Sequence, residues 1–333
     1  MPPMWIWLQF IASAALIVIA ATQLAKYGDV IALRTGLGGM FVGVLLMAGA
    51  TSLPEVLTSI SSVNQGVPNL AAGNLFGSNM FNMLLLAILD LVHREERLLR
   101  KAALKHALSG SLSIFLIGAV VFFVMSDIQV SIGWIGADSL FITLAYMIAV
   151  RLIQKHAQHG VAPARLVEVP KGTPALSRGV LGFSIAAIAL ILVTPIMVRS
   201  SATIAELTGL GATFIGTTLV ALITSLPELV TTLAAARLGA DDMAIGNLFG
   251  SNLFNMFALG LTDFFYTQGR FLGTIDPAFL MIGMLGLLMT SMGLIGNLAR
   301  LERRVLFVEL DSLALILVYF GGLWFLYSQN IAP

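Results

Sequence analysis

Residues 36–90 align with residues 209–263 at a constant offset of 173, without a gap, and 27 of the 55 pairs are identical. The first copy reads TSLPE from Thr51 to Glu55 and GNLFGSNMFNM from Gly73 to Met83. The second reads TSLPE from Thr224 to Glu228 and GNLFGSNLFNM from Gly246 to Met256. The same offset pairs Asp138 with Asp311 and Tyr146 with Tyr319, so the correspondence runs well beyond the motifs. A chain of 333 residues is thus one unit of about 173 residues used twice, and any fold must place that unit twice.

Composition settles the solvent. Only 11% of residues are charged and 58% are hydrophobic, against about 25% charged in an average soluble chain, and the mean hydropathy is +0.95. Thirty-five ionisable Lys, Arg, Asp and Glu side chains cannot clothe a soluble surface of this size, so the chain reads as a polytopic membrane protein with the lipid bilayer as its main partner. The absence of cysteine excludes disulfides, thiolate metal sites and thiol nucleophiles. No basic run suits nucleic acid, no feature calls for an obligatory protein partner, and the first apolar stretch lacks the marks of a cleavable signal.

Runs long enough to span, about 20 residues each, fall near 5–25, 37–64, 69–92, 106–126, 130–150, 179–198, 209–236, 242–265, 272–296 and 306–327. The expected fold is therefore an all-α membrane protein of ten transmembrane helices. Sixteen of the 18 Lys and Arg residues follow odd-numbered spans, leaving only Arg199 and Arg270 opposite. Basic loops stay cytoplasmic, so both termini are expected outside the cytoplasm. The stretch 154–177 is the one long polar connection, and it divides a first five-helix unit, 1–153, from a second, 178–333. Five spans per unit is odd, so the second copy must enter the bilayer reversed. Inverted repeats of this kind are the architecture of secondary transporters, which bind cargo near the midplane. The four histidines are expected as solvated residues in or beside cytoplasmic loops.

The motifs supply the chemistry. Glu55 and Glu228 are buried deep in matched spans, where a carboxylate costs on the order of 3 kcal/mol and signals function. No Lys or Arg lies inside a neighbouring span to neutralise them. Pro54 and Pro227 lack an N–H and free the carbonyls of Ala50 and Ile223, so the second and seventh helices are expected to break beside Thr51, Ser52, Thr224 and Ser225. A capping box, with Ser52 at the cap and Glu55 in the first turn, is the structural alternative. Asn74, Ser78 and Asn82 recur every four residues along one helix face, as do Asn247, Ser251 and Asn255. Gly73 and Gly77, with Asn79 and Asn252, are expected to serve helix packing. The donor set is all oxygen, which suits Ca²⁺, Na⁺ or Mg²⁺ over Zn²⁺ or Cu²⁺, and two carboxylates balance one Ca²⁺ or two Na⁺.

The paired TSLPE and GNLFGSN(M/L)FN segments resemble the two alpha repeats of the cation/calcium exchanger superfamily, and most closely its prokaryotic sodium/calcium exchangers. The resemblance implies a secondary-active antiporter, not an enzyme, that exchanges Na⁺ for Ca²⁺ by alternating access; the alternative is a Ca²⁺/H⁺ or other cation/H⁺ antiporter. It implies a cation site formed by Glu55, Glu228, Thr51, Thr224, Ser52, Ser225, Ser78, Ser251, Asn82 and Asn255, joined by the carbonyls of Ala48 and Ala221. Transported Ca²⁺ and Na⁺ are the only bound species expected; no cofactor is. Calcium/proton exchangers of the superfamily carry glutamate where this chain has Gly77 and Gly250, which argues against proton coupling, and the potassium-dependent branch carries Asp at the position of Asn255. The linker 154–177 is too short for the calcium-sensing insert of animal exchangers, so the expected location is a prokaryotic cytoplasmic (inner) membrane. The first and sixth spans, free of polar motifs, are expected to slide past the motif core.

Overall fold

The computed structural model describes residues 3–35, 49–92, 103–159, 172–237, 241–299, 304–305 and 308–328. Much of the first half of the second expected span, Ala48 included, and half of the linker between the units lie outside these residues.

The described chain is almost wholly helical. In order come α1 (Met4–Thr35), α2 (Leu53–Asn64), α3 (Pro68–Val92), α4 (Ala103–Ser126), α5 (Ala137–His159) and α6 (Leu176–Thr208). They are followed by α7 (Gly211–Thr224), α8 (Leu226–Arg237), α9 (Asp241–Asp263), α10 (Phe279–Ala299) and α11 (Leu310–Ser328). Among the described residues seven helices are long and apolar enough to cross a membrane, and eight if the pair α7–α8, bent by 40°, is one span. The protein is a multi-pass membrane protein. Each of the ten expected segments overlaps a helix, but α9 is not among the seven: its Asn and Ser residues and its acidic ends dilute its apolar character.

Two short hairpins were not expected. Ser131–Ile132 (β1) pairs antiparallel with Ile135–Gly136 (β2), and Arg304–Val305 (β3) pairs with Val308–Glu309 (β4). Both immediately precede a helix, α5 and α11, and the offset of 173 carries one onto the other, so the duplication reaches these turns. Gly133 sits at φ 66°, a conformation only glycine adopts without strain, and that turn delays α5 to Ala137.

The layers follow from which helices need shelter. The apolar window of α3 is 94% buried inside the protein, against 33% for α1 and 22% for α6. The helix with polar side chains along its length is thus surrounded by protein, as unsatisfied polar groups in hydrocarbon require. Its Phe76 and the matched Phe249 of α9 are among the largest fully buried side chains of the main core. The long helices α1 and α6 pack along one another, with Leu24 and Leu190 in a second core. They fit closely: a Cβ on Gly182 would meet the Tyr27 ring at 2.5 Å, and one on Gly179 would meet Val30 at 2.9 Å.

Candidate cation site

The two TSLPE segments break their helices as proline requires, but more tightly than an unwound stretch. Helix runs through residues 49–51, turns at Ser52 (φ −87°, ψ 7°), and resumes at Leu53. In the second copy it runs to Thr224, turns at Ser225 (φ −90°, ψ 3°), and resumes at Leu226. The irregularity is one residue long because the backbone repairs itself on either side: Ser225 N–H still reaches the Ala221 carbonyl at 3.1 Å, and Leu229 N–H reaches the Ser225 carbonyl at 3.2 Å. Upstream, α7 accommodates the strain as a wider helical turn over Gly216–Val220. Such widened turns favour functional positions.

Ser52 stands at the start of α2 yet makes no side-chain cap. Its hydroxyl donates instead to the Glu228 carboxylate at 2.9 Å, and lies 3.3 Å from the Ser251 hydroxyl. The matched Ser225 donates to Glu55 at 3.1 Å. Each carboxylate is therefore held by a serine of the other repeat, which replaces the capping-box reading. Thr51 and Thr224 also reach toward Glu228 and Glu55 respectively. Thr224 donates to the Asn74 amide oxygen at 2.8 Å and lies 3.5 Å from Ser78. Both glutamates, both serines and both threonines are buried to within 1%.

The asparagines complete the arrangement. Asn82 donates its amide N–H to the Asn252 side-chain oxygen at 3.0 Å, and Asn255 donates to that of Asn79 at 3.0 Å. Once more the bonds run between repeats and are matched by the same offset. With their nitrogens so engaged, Asn82 and Asn255 present their oxygens. The acceptors left buried without a hydrogen-bond partner include one oxygen each of Glu55 and Glu228 and the amide oxygens of Asn82, Asn255 and Asn247. Buried acceptors are nearly always satisfied, and an unpaired buried carboxylate oxygen is costly. The buried ion pair of Arg270 with Asp138 does not involve either glutamate. Orphaned acceptors that include an oxygen of each carboxylate form a donor set suited to a cation.

Of the residues named from sequence, Glu55, Glu228, Thr51, Thr224, Ser52, Ser225, Ser78, Ser251, Asn82 and Asn255 are all buried, on α2, α3, α7, α8, α9, the helical residues 49–51 and the turns at Ser52 and Ser225. The Ala221 carbonyl also accepts the Thr224 hydroxyl at 3.3 Å, in addition to the Ser225 N–H. Ala48 lies outside the described residues. Asn79 and Asn252 were assigned to helix packing alone; the structure gives them the further task of orienting the two amides. The glycines do pack helices: a Cβ on Gly77 would stand 2.4 Å from the Thr217 carbonyl oxygen, and one on Gly73 2.9 Å from the Thr217 nitrogen.

Two features lie outside the site. Asp138 sits at the start of α5, 2% exposed, and pairs with Arg270 at 3.2 Å. Arg270 also contacts Asp127 and the Ile128 carbonyl. Beside them Asp263 accepts the Gly136 N–H at 2.7 Å and the Phe271 N–H at 2.6 Å. This is a buried clasp between the β1–β2 hairpin and the end of α9. His106 was expected to be solvated; in the first turn of α4 it is instead half-buried against Gly246, where a Cβ would stand 2.8 Å from its ring.

Comparison with known proteins points the same way. The family described as sodium/calcium exchanger protein matches residues 5–153 and 178–328. The inner membrane protein YrbG of Escherichia coli is 29% identical over 274 residues, 80% of each chain. The sodium/calcium exchanger MaX1 of Methanosarcina acetivorans is 28% identical over 280 residues, 72% of this chain and 77% of its own. Among solved structures, the H⁺/Ca²⁺ exchanger CAX superposes with a TM-score of 0.72 over 98% of this chain and 85% of its own, at 14% identity, a likeness of fold.

Proposed function

The chain belongs to the sodium/calcium exchanger protein family, and from that premise we propose that it is a secondary-active antiporter exchanging Na⁺ for Ca²⁺ by alternating access. Its ten helical segments would be ten spans, arranged as two inverted five-helix repeats, 1–153 and 178–333, joined by the cytoplasmic linker 154–177. The distribution of Lys and Arg then sets both termini outside the cytoplasm of a prokaryotic inner membrane, in keeping with the inner-membrane relative.

One observation carries the reading: two buried carboxylates, each oriented by the opposite repeat, keep one oxygen apiece without a hydrogen-bond partner, as do the amide oxygens of Asn82 and Asn255. Glu55 and Glu228 supply the charge for one Ca²⁺ or two Na⁺. Asn82, Asn255, Ser52, Ser225, Ser78, Ser251, Thr51 and Thr224, with the carbonyls of Ala48 and Ala221, supply neutral oxygens, a donor set suited to hard cations. Because the ligands come from both repeats, a relative shift of the repeats, or of α1 and α6 beside them, changes access without dismantling either half.

Coupling to Na⁺ over H⁺ rests on the acid count. Gly77 backs directly onto the Thr217 backbone, so that position has no room for a carboxylate side chain. The site therefore has two acids and two amides. The test is ⁴⁵Ca²⁺ uptake into reconstituted vesicles under an imposed Na⁺ gradient and, separately, a pH gradient. Uptake driven by Na⁺ supports the proposal; uptake driven only by the pH gradient replaces it with Ca²⁺/H⁺ antiport.

A further inference from the structure

Threonines inside helices ordinarily turn their hydroxyl back to a carbonyl one turn earlier. Thr217, Thr231, Thr262 and Thr290 do so here, bonding to the carbonyls of Thr213, Pro227, Ala258 and Gly286 at 2.7–2.9 Å. Thr58 and Thr194 do not. Both are fully buried, and neither hydroxyl has a hydrogen-bond partner.

Their positions are informative. Thr58 and Ser62 lie one and two turns beyond Glu55 on the same face of α2. Gln65 ends the row; its amide donates to Ser61 at 2.9 Å and across to the Pro195 carbonyl of α6 at 3.2 Å. Thr194 is the residue before Pro195, on the helix that α2 packs against. Pro195 has no N–H to offer, so the Ile191 carbonyl also loses its helical donor. The Ser62 hydroxyl donates to the Thr58 carbonyl at 2.7 Å, so the unspent hydroxyls here are those of Thr58 and, on the helix packed against it, Thr194.

The second repeat has no such row. At the offset of 173, Thr58 becomes Thr231, whose hydroxyl is spent on its own helix, Ser62 becomes Ala235, and Thr194 corresponds to Ala21. The unit was duplicated, yet among the described residues only the first copy leaves a buried threonine hydroxyl unspent between its carboxylate and its helix end.

We propose that Thr58 and Thr194 form a transit site of neutral oxygens for Na⁺ between Glu55 and the Gln65 end of α2, so that the two routes to the carboxylates are chemically unequal. Without a carboxylate the site suits a monovalent ion in passing and does not retain Ca²⁺. The inference rests on the antiport reading, in whose orientation the Gln65 end is extracytoplasmic.

The test is Na⁺-driven Ca²⁺ flux in oriented proteoliposomes, with Na⁺ varied on one side at a time, for wild type, Thr58→Val, Thr58→Ser and Thr194→Val. Valine keeps the shape and removes the hydroxyl. Thr58→Val and Thr194→Val are expected to raise the KM for Na⁺ about five-fold from the Gln65 side, in line with the loss of one polar contact, and to leave the other side unchanged. Thr58→Ser is expected to behave as wild type. An unchanged KM on both sides, or an equal change on both, overturns the transit site while leaving antiport intact. Absence of Na⁺-driven flux in the wild type overturns the antiport reading and, with it, this inference. If Thr58→Val does not accumulate, Thr194→Val decides the question by the same criterion.

Discussion

The Ser52 hydroxyl donates to the Glu228 carboxylate at 2.9 Å, although the two residues are 176 positions apart and belong to different copies of the duplicated unit. The bond from Ser225 to Glu55 repeats it in the other direction at 3.1 Å. Each repeat therefore orients the charge that the other contributes.

Glu55→Gln or Glu228→Gln removes one of the two charges available to a divalent ion while conserving volume. Either variant should abolish Ca²⁺ transport and remain folded. A thermal-shift series makes the point independently of flux: ligand at a hundred-fold excess over its Kd stabilises a protein by about 2.7 kcal/mol. Ca²⁺ should thus raise the Tm of the wild type and leave that of both variants unmoved. Ca²⁺ flux retained in both variants would remove these residues from the site.

Asn252→Ala and Asn79→Ala test whether these amides act on their neighbours. Each removes the acceptor that fixes the Asn82 or Asn255 amide. Ca²⁺ affinity should fall by roughly three- to ten-fold, the equivalent of about one hydrogen bond. If the residues only pack helices, the Tm will drop and the affinity, measured by calorimetric titration, will not.

Gly77→Ala would drive a methyl group to 2.4 Å from the Thr217 carbonyl oxygen and 2.7 Å from the Ala221 methyl. Backbone must move to admit it, so the variant should lose on the order of 1–3 kcal/mol of stability, read as a lower Tm in detergent. A Tm equal to that of the wild type would show that α3 and α7 separate freely.

Arg270→Met strands Asp138, whose side chain is 1% exposed, without its cation. Breaking a buried pair from one side costs about 3–5 kcal/mol, and replacing both partners costs far less. Arg270→Met should therefore be severely destabilised, and Arg270→Met with Asp138→Asn should recover most of the loss. Asp127→Asn, whose side chain is 59% exposed, should change little. Equal Tm values for the single and double variants would mean that the pair is not what holds the clasp.

Much of the site was legible because it is written twice. Glu55 and Glu228, the serines beside them and the asparagine ladders stand out by recurrence at fixed spacing, and the structure buries them together. What the sequence did not disclose depends on contacts between residues far apart in the chain. The orientation of the Asn82 amide is set by Asn252, 170 positions away, and no local pattern records it. Ser52 fits the pattern of a helix cap equally well, and only the nearness of Glu228 decides against it. The hairpins were missed because their strands are two residues long; the first reads as the start of a span, and Arg304 of the second reads as a loop charge. Arg270 was read as a loop charge, because burial of a long cation is invisible until its three oxygen partners converge on it.

The crossed serine–carboxylate bonds bear on ancestry as well as on ions. A single copy of the unit holds one carboxylate with no serine of its own to steady it, and one amide with no partner to aim it. Before the two copies were fused in one gene, such a unit could assemble this constellation only by meeting a second molecule of itself face to face. Fusion then released the two halves from identity, and the unequal fates of Thr58 and Thr231 are the kind of divergence that it permits.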